Sequence, residues 1–365
     1  MRIQFKSRYD DDINLFKDNR HRIQYGILLV LAIAAPWLLP DYFLGELTQV
    51  LVWSLAGLGL MLLAGHTGQV SLGHAAFMAI GAFTNIALMI RGWPFIPALL
   101  ASAVVTGLIG AIIARPILRM SGIYLAIATL ALSIIIEDVA IIAESITGGV
   151  AGVFAPPIEL AGLEIDRYGT PAAFYLMCLF VVVLVTLAYA NLLRSPTGRA
   201  FLAVRDSEVS ARALGVHVAR TKTLAFSLSC AITGLAGALY GHLVQVVNYE
   251  SFLVVISITL LLQVVVGGLG SMHGAFFGAI VVVVLPQLIA ASRDFVNTHT
   301  PLSLSAYPGM DMALFALVIV IMVIYEPRGL YGMWVKVRTW FELFPLYRKG
   351  MFRRARTYLK TERMR

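Results

Sequence analysis

The sequence has few charged residues for its length of 365 residues. Only 13% of them are Asp, Glu, Lys or Arg, whereas 59% are hydrophobic, and soluble domains usually carry about 25% charged residues. The mean hydropathy of the chain is +0.84. This shortage of charge excludes an ordinary soluble protein and predicts that most of the chain lies in a lipid bilayer.

Several kinds of site are also missing from the sequence. Its two cysteines, Cys178 and Cys230, fall inside apolar segments, so we predict neither a disulfide framework nor a metal site. There is no Gly-Lys dipeptide, which a phosphate-binding P-loop requires. Because no Ser/His/Asp array or HExxH helix is present either, we expect that the chain is not an enzyme and binds no cofactor itself.

Long apolar runs dominate the rest of the sequence. A helix needs about 20 apolar residues to cross the hydrocarbon core of a bilayer. We therefore predict an all-α, polytopic transmembrane bundle, with ten candidate segments at residues 23–39, 43–64, 75–90, 94–114, 121–143, 172–193, 223–247, 252–268, 275–292 and 310–326. Several segments are short or contain glycine, so eight full spans with broken, Gly-rich helices fit nearly as well.

The basic residues predict the orientation of the chain. All but three of the 28 Lys and Arg residues lie before Ile23, at Arg115 and Arg119, in residues 194–222, or after Pro327. The exceptions are Arg91, Arg167 and Arg293. Since Lys and Arg are enriched in short cytoplasmic loops, both termini are predicted to be cytoplasmic. We expect a cytoplasmic arm (1–22), a transmembrane domain (23–326) and a basic cytoplasmic tail (327–365).

The net charge of +8 is then mostly an orientation signal, together with a tail that anionic lipid attracts. No basic groove with interleaved aromatic residues is present outside the tail, so we expect a bilayer and not a nucleic acid as the partner of these charges.

Residues 194–222 form a polar segment between apolar runs, RSPTGRAFLAVRDSEVSARALGVHVARTK. Asp206 is predicted to cap a helix whose first turn holds Ser207 and Glu208, and Gly215 to end it. The segment therefore predicts a short helix at about 206–215, exposed on the cytoplasmic surface to a docking partner. A solvated loop that only orients the chain is the alternative.

Two Gly-rich segments interrupt the apolar runs, GHTGQVSLGH at 65–74 and GGLGSMHGAF at 267–276. Glycine lets a backbone leave helical geometry, and such breaks occur at membrane depth only where protein or water satisfies the freed groups. We predict broken helices with free backbone groups along a translocation pathway. The residues concerned are Gly65, Gly68, Gln69, Ser71, Gly73, His74, Gly267, Gly268 and Gly270. An ordinary tight cytoplasmic turn explains the first segment equally well.

Residues 144–171 are predicted to form an outer segment. Thr147, Gly148 and Gly149 belong to a re-entrant gate of the pathway or to a flexible connector. Glu137 and Asp138 lie toward the outer end of the preceding span. An ionisable group in a bilayer is a functional candidate by default, and a pair hydrated within a turn of the interface is the alternative. An ion-coupled secondary transporter would use one of them, but it would not explain an ordered helix in the largest inner loop.

Several ordered motifs resemble the LivM-type permease, an inner-membrane subunit of branched-chain amino-acid ABC importers. They are GHTGQVSLGHAAFMAIGAF, SGIYLAIATLALS followed by ITGGVAGV, GRAFLAVRDSEVSARALGV, AFSLSCAITGLAGALYG, VVGGLGSMHGAFFGA and EPRGLYG. The resemblance covers residues from about 50 to 332. The longer chain and the TGG loop look more like LivM than like its shorter partner, LivH.

The resemblance implies a multi-pass subunit of the bacterial inner membrane. It would pair with a LivH-like permease, two ABC ATPases that bind ATP and Mg, and a periplasmic or surface solute-binding protein. The helix at about 206–215 becomes a coupling helix seated on one ATPase. The residues implied for this contact are Arg199, Arg205, Asp206, Glu208, Val209, Arg212, Ala213 and Gly215. Branched-chain amino acids are the expected substrate, and urea or amides are the alternative for a permease of this type.

Overall fold

The computed structural model describes residues 19–117, 120, 122–160, 162–299 and 309–343. The helices are α1 (Asn19–Leu38), α2 (Asp41–Leu60, continued by a π-helical turn, Met61–Gly65), α3 (His74–Ile90), α4 (Phe95–Ile117), α5 (Ile123–Ile142), α6 (Glu144–Thr147), α7 (Pro171–Arg194), α8 (Pro196–Asp206), α9 (Glu208–Ala213), α10 (Val218–Val244), α11 (Val254–Gly267), α12 (Met272–His299), α13 (Met310–Tyr325) and α14 (Gly329–Leu343). The strands are β1 (Val153–Phe154), β2 (Ile158–Leu160), β3 (Leu163–Ile165) and β4 (Val246–Val247).

The predicted helical membrane bundle is confirmed. Among the described residues, seven helices are long and apolar enough to cross a membrane. Helices α13 and α14, which meet at a bend of 50°, make an eighth span if the pair crosses as one. Helix α3 and the apolar part of α1, Arg22–Leu38, are shorter. Each of the ten predicted segments contains a helix, and seven or eight spans with shorter helices describe the bundle better than ten full crossings.

The orientation and the domain boundaries stay predictions. Residues 1–18 of the N-terminal arm, Arg119, and residues 344–365 of the basic tail lie outside the described residues. The described part of the tail contains α14, which the sequence analysis did not predict.

Helix α10 lies at the centre of the bundle and packs against α2, α3 and α4. Its glycines allow this approach. A Cβ atom added at Gly81 of α3 would lie 2.1 Å from the carbonyl oxygen of Gly234, and one added at Gly237 would lie 2.0 Å from the carbonyl oxygen of Met78. Small residues at such spacing let helix backbones meet closely in membranes.

Helices α7 and α10 run from one end of the bundle to the other, and the two ends carry different structures. At one end, α8 and α9 form the segment between α7 and α10. At the other end, residues 153–165 fold over the C-terminus of α10, because β1 pairs antiparallel with β4 through Val153 and Val247. Strands β2 and β3 form a hairpin beside this pair. If the basic residues orient the chain as predicted, α8 and α9 are cytoplasmic and the strands lie outside.

We expect Gly237→Ala to destabilise the bundle by roughly 1–3 kcal/mol, the usual cost of overpacking a well-packed core, because the added methyl group meets a backbone oxygen of α3. Thermal unfolding of the purified chain in lipid nanodiscs measures this effect. Gly26→Ala in α1 is the matched control, since a Cβ atom there has nothing within 4 Å. Equal melting temperatures for the two variants would contradict the packing argument.

Candidate functional site

The first Gly-rich segment is a true interruption inside the bundle. It leaves α2 at Gly65, beside α8, and reaches His74, whose side chain contacts Ser229 about halfway along α10. Five of its polar side chains are buried, those of His66, Thr67, Gln69, Ser71 and His74. An ordinary surface turn would expose these groups to water. The structure therefore favours the broken helix over the tight turn.

Hydroxyl groups of neighbouring helices bond the backbone of this segment. The amide of Leu72 donates to Thr129 Oγ1 of α5 at 2.9 Å, and the amide of Ala75 donates to Ser257 Oγ of α11 at 2.9 Å. The amide of Gly73 lies 3.3 Å from Ser71 Oγ. These three amides are thus occupied, and among them the amide of Gly73 belongs to a residue that we predicted to line the pathway. The bonds satisfy groups that would be costly to leave unpaired at membrane depth.

The imidazole of His74 is fully engaged. Its Nε2 atom lies 2.8 Å from Ser229 Oγ, and that hydroxyl donates its only proton to the carbonyl oxygen of Gly59 at 2.6 Å. Ser229 must therefore accept from His74, which places the imidazole proton on Nε2. The unprotonated Nδ1 accepts from Ser71 Oγ at 3.0 Å. His74 therefore ties the interruption to α10, and neither nitrogen is free for a solute in this arrangement.

The second Gly-rich segment, between α11 and α12, contacts the first. Gly268 and Gly270 have φ angles of 113° and 80°, which favour glycine. A Cβ atom at Gly267 would lie 1.8 Å from the carbonyl oxygen of Gly274. One at Gly65 would lie 2.8 Å from the amide nitrogen of Gly270. Both interruptions therefore need glycine in order to meet.

Arg205 of α8 contacts both interruptions. Its Nη1 donates to the carbonyl oxygen of Gly65 at 3.2 Å. Cβ atoms added at Gly68 and Gly270 would lie 3.2 Å from Arg205 Cγ and 3.3 Å from Arg205 Nη1. The guanidinium also pairs with Asp206 at 3.0 Å. One side chain thus joins the polar segment 194–222 to the ends of α2 and α11.

The predicted single helix at 206–215 is wrong in its start. Asp206 is the last residue of α8, and Ser207 is the cap of α9, accepting from the amide of Ser210 at 3.2 Å. Helix α9 ends before Gly215, whose φ of 85° confirms the predicted stop. The segment therefore contains two helices. The start of the first helix, α8, is indicated by Ser195 as a cap followed by Pro196 at the first helical position. We did not predict this helix from the sequence.

Helix α9 is anchored on one side and exposed on the other. Glu208 pairs with the largely buried Lys222 of α10 at 2.6 Å. Val209 and Leu214 are 80% and 81% exposed, and the side chain of Ala213 is exposed beside them. Leu214 was missed in the sequence analysis, although it follows Val209 by five residues. Arg199 and Arg212 are exposed as well. The anchored helix thus presents a small apolar patch to the solvent.

The structure does not bring the TGG segment to the other predicted pathway residues. Thr147 Oγ1 donates to the carbonyl oxygen of Ala140 at 2.5 Å and accepts from the amide of Gly149 at 3.1 Å. A Cβ atom at Gly148 would lie 2.1 Å from the carbonyl oxygen of Gly152. This tight turn follows α5 and α6 at the strand end of the bundle, whereas the two interruptions begin beside α8.

Glu137 has a structural contact. Its carboxyl group lies near Val254, the first residue of α11, and its Oε1 is buried with no hydrogen-bond partner among the described residues. A carboxylate is favourable at a helix N-terminus because of the free amides and the helix dipole there. Asp138 is exposed. The position of Glu137 beside the first turn of α11 is therefore electrostatically favourable.

Comparisons with known proteins agree with this architecture. Residues 42–324 match the family model of the branched-chain amino acid transport system permease component. The chain is 33% identical to the high-affinity branched-chain amino acid transport system permease protein LivM of Salmonella typhimurium, over 84% of this chain and 74% of the relative. The corresponding LivM of Escherichia coli gives the same values. The LivH protein of Salmonella typhimurium is 24% identical, over 80% of this chain and 96% of the relative.

The chain belongs to the branched-chain amino acid permease family. The permease is of the LivM type, since its identity to LivM proteins exceeds its identity to LivH proteins. No solved structure matches it.

For this permease we expect Thr129→Val to loosen the first interruption, because the amide of Leu72 loses its acceptor. A lost hydrogen bond of about 1 kcal/mol corresponds to roughly fivefold faster amide exchange at that site. Hydrogen–deuterium exchange of peptides covering residues 66–73 measures it. Thr259→Val is the matched control, since that exposed hydroxyl bonds only the carbonyl oxygen of Val255 in its own helix. Unchanged exchange in Thr129→Val would contradict the role of this bond.

Proposed function

We propose that this chain is the permease subunit of an ATP-driven importer that carries branched-chain or related small amino acids across the bacterial inner membrane. The family match and the LivM relatives support the substrate class. The LivH relatives support a second permease as its partner. In this proposal, two ABC ATPases bind ATP and Mg, a solute-binding protein delivers the amino acid, and the present chain performs no catalysis.

The observation that carries the proposal is the contact of Arg205 with both Gly-rich interruptions. Helix α8 carries Arg205, and α9 follows it after the single residue Ser207. Because the guanidinium bonds the carbonyl oxygen of Gly65, a displacement of α8 acts directly on the ends of α2 and α11. A segment with this connection is suited to transmit motion from a cytoplasmic motor to the membrane helices.

The exposed patch on α9 is the proposed seat of the ATPase. Val209 and Leu214 expose apolar surface to the solvent, while the ion pair between Glu208 and Lys222 holds the helix to α10. An apolar patch on an anchored helix suits a groove of a partner protein. Arg199 and Arg212 add positive charge around this patch.

The proposed cycle has two steps. Closure of the ATPases moves α9 and α8 together, and Arg205 passes the displacement to Gly65 and Gly270. The interruptions then change their packing between α5, α10 and α11, which opens the pathway to one side of the membrane at a time. The first interruption suits this role, since hydroxyls of α5 and α11 bond the amides of Leu72 and Ala75.

The apolar patch gives the first test. We expect that the affinity-tagged chain, solubilised in mild detergent, retains a second permease and two ATPase chains, identified by mass spectrometry. The double substitution of Val209 and Leu214 by Glu should release the ATPases and retain the second permease. Leu163→Glu is the matched control, because Leu163 is also an exposed leucine (69%) but lies in β3 at the opposite end. Recovery of the chain alone from the unmodified complex would overturn the proposal.

Arg205 gives the second test. We expect Arg205→Ala to keep the ATPases bound and to lower ATP-driven leucine uptake into proteoliposomes at least tenfold, since a hydrogen bond from a charged donor contributes about 1.5–3 kcal/mol. ATP hydrolysis should continue, because the patch on α9 is unchanged. Arg220→Ala, at an exposed arginine on the first turns of α10, is the control that keeps normal uptake. Normal uptake by Arg205→Ala would contradict the coupling route.

A further inference from the structure

A cavity of about 240 Å³ lies at the end of the bundle opposite α8 and α9. The segment that contains β1, β2 and β3 covers it, and the C-terminal turn of α10 forms part of its wall. Its lining combines apolar side chains with two adjacent residues of opposite charge. The side chains that bear on binding are those of Phe154, Ala155, Pro156, Asp166, Arg167 and Gln245.

The guanidinium group of Arg167 uses only part of its hydrogen-bonding capacity among the described residues. Its Nη1 donates to the carbonyl oxygen of Leu243 at the end of α10, at 2.8 Å, and its guanidinium carbon lies 5.4 Å from the centre of the Tyr168 ring. The other guanidinium N–H groups have no hydrogen-bond partner among the residues the structure covers. A planar guanidinium with free donors in a cavity wall is suited to a carboxylate.

Asp166 supplies the opposite charge at the same wall. Its Oδ1 accepts from Gln245 Nε2 at 2.5 Å, and its Oδ2 lies 3.4 Å from the amides of Tyr168 and Gly169. Two carboxylate oxygens have room for about four hydrogen bonds, so an ammonium group can still bind. Adjacent anchors of both signs are complementary to a zwitterion.

The backbone is strained at Gln245, which lines the cavity. Gln245 has a φ of 62°, the left-handed region that residues other than glycine seldom adopt. The amide of Ala155 bonds its carbonyl oxygen at 2.8 Å, and the side chain of Gln245 is held by Asp166. Residues held in such conformations cluster at binding sites, where the surrounding contacts fix them. Here the strain directs the Gln245 amide onto Asp166.

We propose that this cavity binds one small aliphatic α-amino acid. The carboxylate of the ligand pairs with Arg167, its ammonium group with Asp166, and its side chain packs against the accessible apolar surface of Phe154, Ala155 and Pro156. The volume suits such a ligand, since drug-sized molecules occupy pockets of roughly 300–1,000 Å³. The site rests on the proposed function for its substrate class, and on the predicted orientation for its position at the outer face, where an amino acid arrives.

The test is binding of radiolabelled L-leucine to the purified complex, or to the full chain alone, in nanodiscs without ATP and without a solute-binding protein. We expect saturable binding. Leucinamide, which lacks the carboxylate, and 4-methylpentanoate, which lacks the ammonium group, should each compete at least tenfold more weakly than leucine. Absence of saturable binding, or equal competition by either analogue, would overturn the proposal without any substituted protein.

Two substitutions then locate the site. Arg167→Gln removes the cation and should weaken leucine binding at least tenfold, and Ala155→Phe should fill the cavity from its half-buried wall and abolish binding. If Arg167→Gln does not fold, the leucine binding of Ala155→Phe decides the test. Arg91→Gln, at an exposed arginine outside the cavity, is the matched control and should bind as the unmodified chain does. Normal affinity in Arg167→Gln would assign the leucine to another site.

The outcome is separable from that of the proposed function. The binding assay needs no ATPase, so loss of the importer proposal would leave leucine binding measurable. Conversely, if the cavity is not a site, ATP-driven uptake by Arg167→Gln stays normal while leucine binding fails the tests above. If Arg167→Gln instead weakens only the docking of the solute-binding protein, Arg167 belongs to a protein contact and the cavity proposal is overturned.

Discussion

Inside the hydrocarbon core of a bilayer, a backbone N–H or C=O group without a partner costs several kcal/mol. This permease interrupts its helices within the bundle, so it needs other partners for the freed groups. Side-chain hydroxyls supply them. Thr129 of α5 accepts from Leu72 in the interrupted backbone, and Ser257 of α11 accepts from Ala75 in the first turn of α3. His74, in the same turn, contacts Ser229 of α10. The relative positions of α3, α5, α10 and α11 therefore depend on hydrogen bonds at this one interruption.

The two interruptions also depend on each other. Gly65 and Gly270 approach so closely that a methyl group on Gly65 would overlap the backbone of Gly270. Arg205 lies beside both glycines and donates to the carbonyl oxygen of Gly65. A contact between two backbones cannot adjust by changing a side-chain rotamer. Movement of one interruption consequently requires movement of the other or separation of the pair. Tightly packed contacts of this kind favour discrete arrangements over gradual deformation, which a cyclic transporter requires.

The sequence predicted the helical segments well, because the length of an apolar run is a local property. Local patterns were less decisive in the polar segment. Asp206 and Ser207 are both good caps by residue type, and the structure shows that Ser207 is the one whose side chain caps α9. Arg205 and Gly65, which form a hydrogen bond, are 140 residues apart in the sequence. At the cavity, Arg167 donates to the carbonyl oxygen of Leu243, which lies 76 residues further along the chain. No periodicity or spacing encodes such pairs, so both sites became visible only in the fold.

Helix α10 connects the two ends of the molecule. At one end its Lys222 holds α9, near its middle Ser229 holds the first interruption, and at the other end the carbonyl oxygen of Leu243 accepts from Arg167. A helix of 27 residues spans about 40 Å, and its glycines fix it closely against α3. If α10 moves as a rigid body, α9, the first interruption and the cavity move together. A ligand that binds one arrangement of Arg167 more tightly would then favour one position of α9, since coupling between sites is reciprocal.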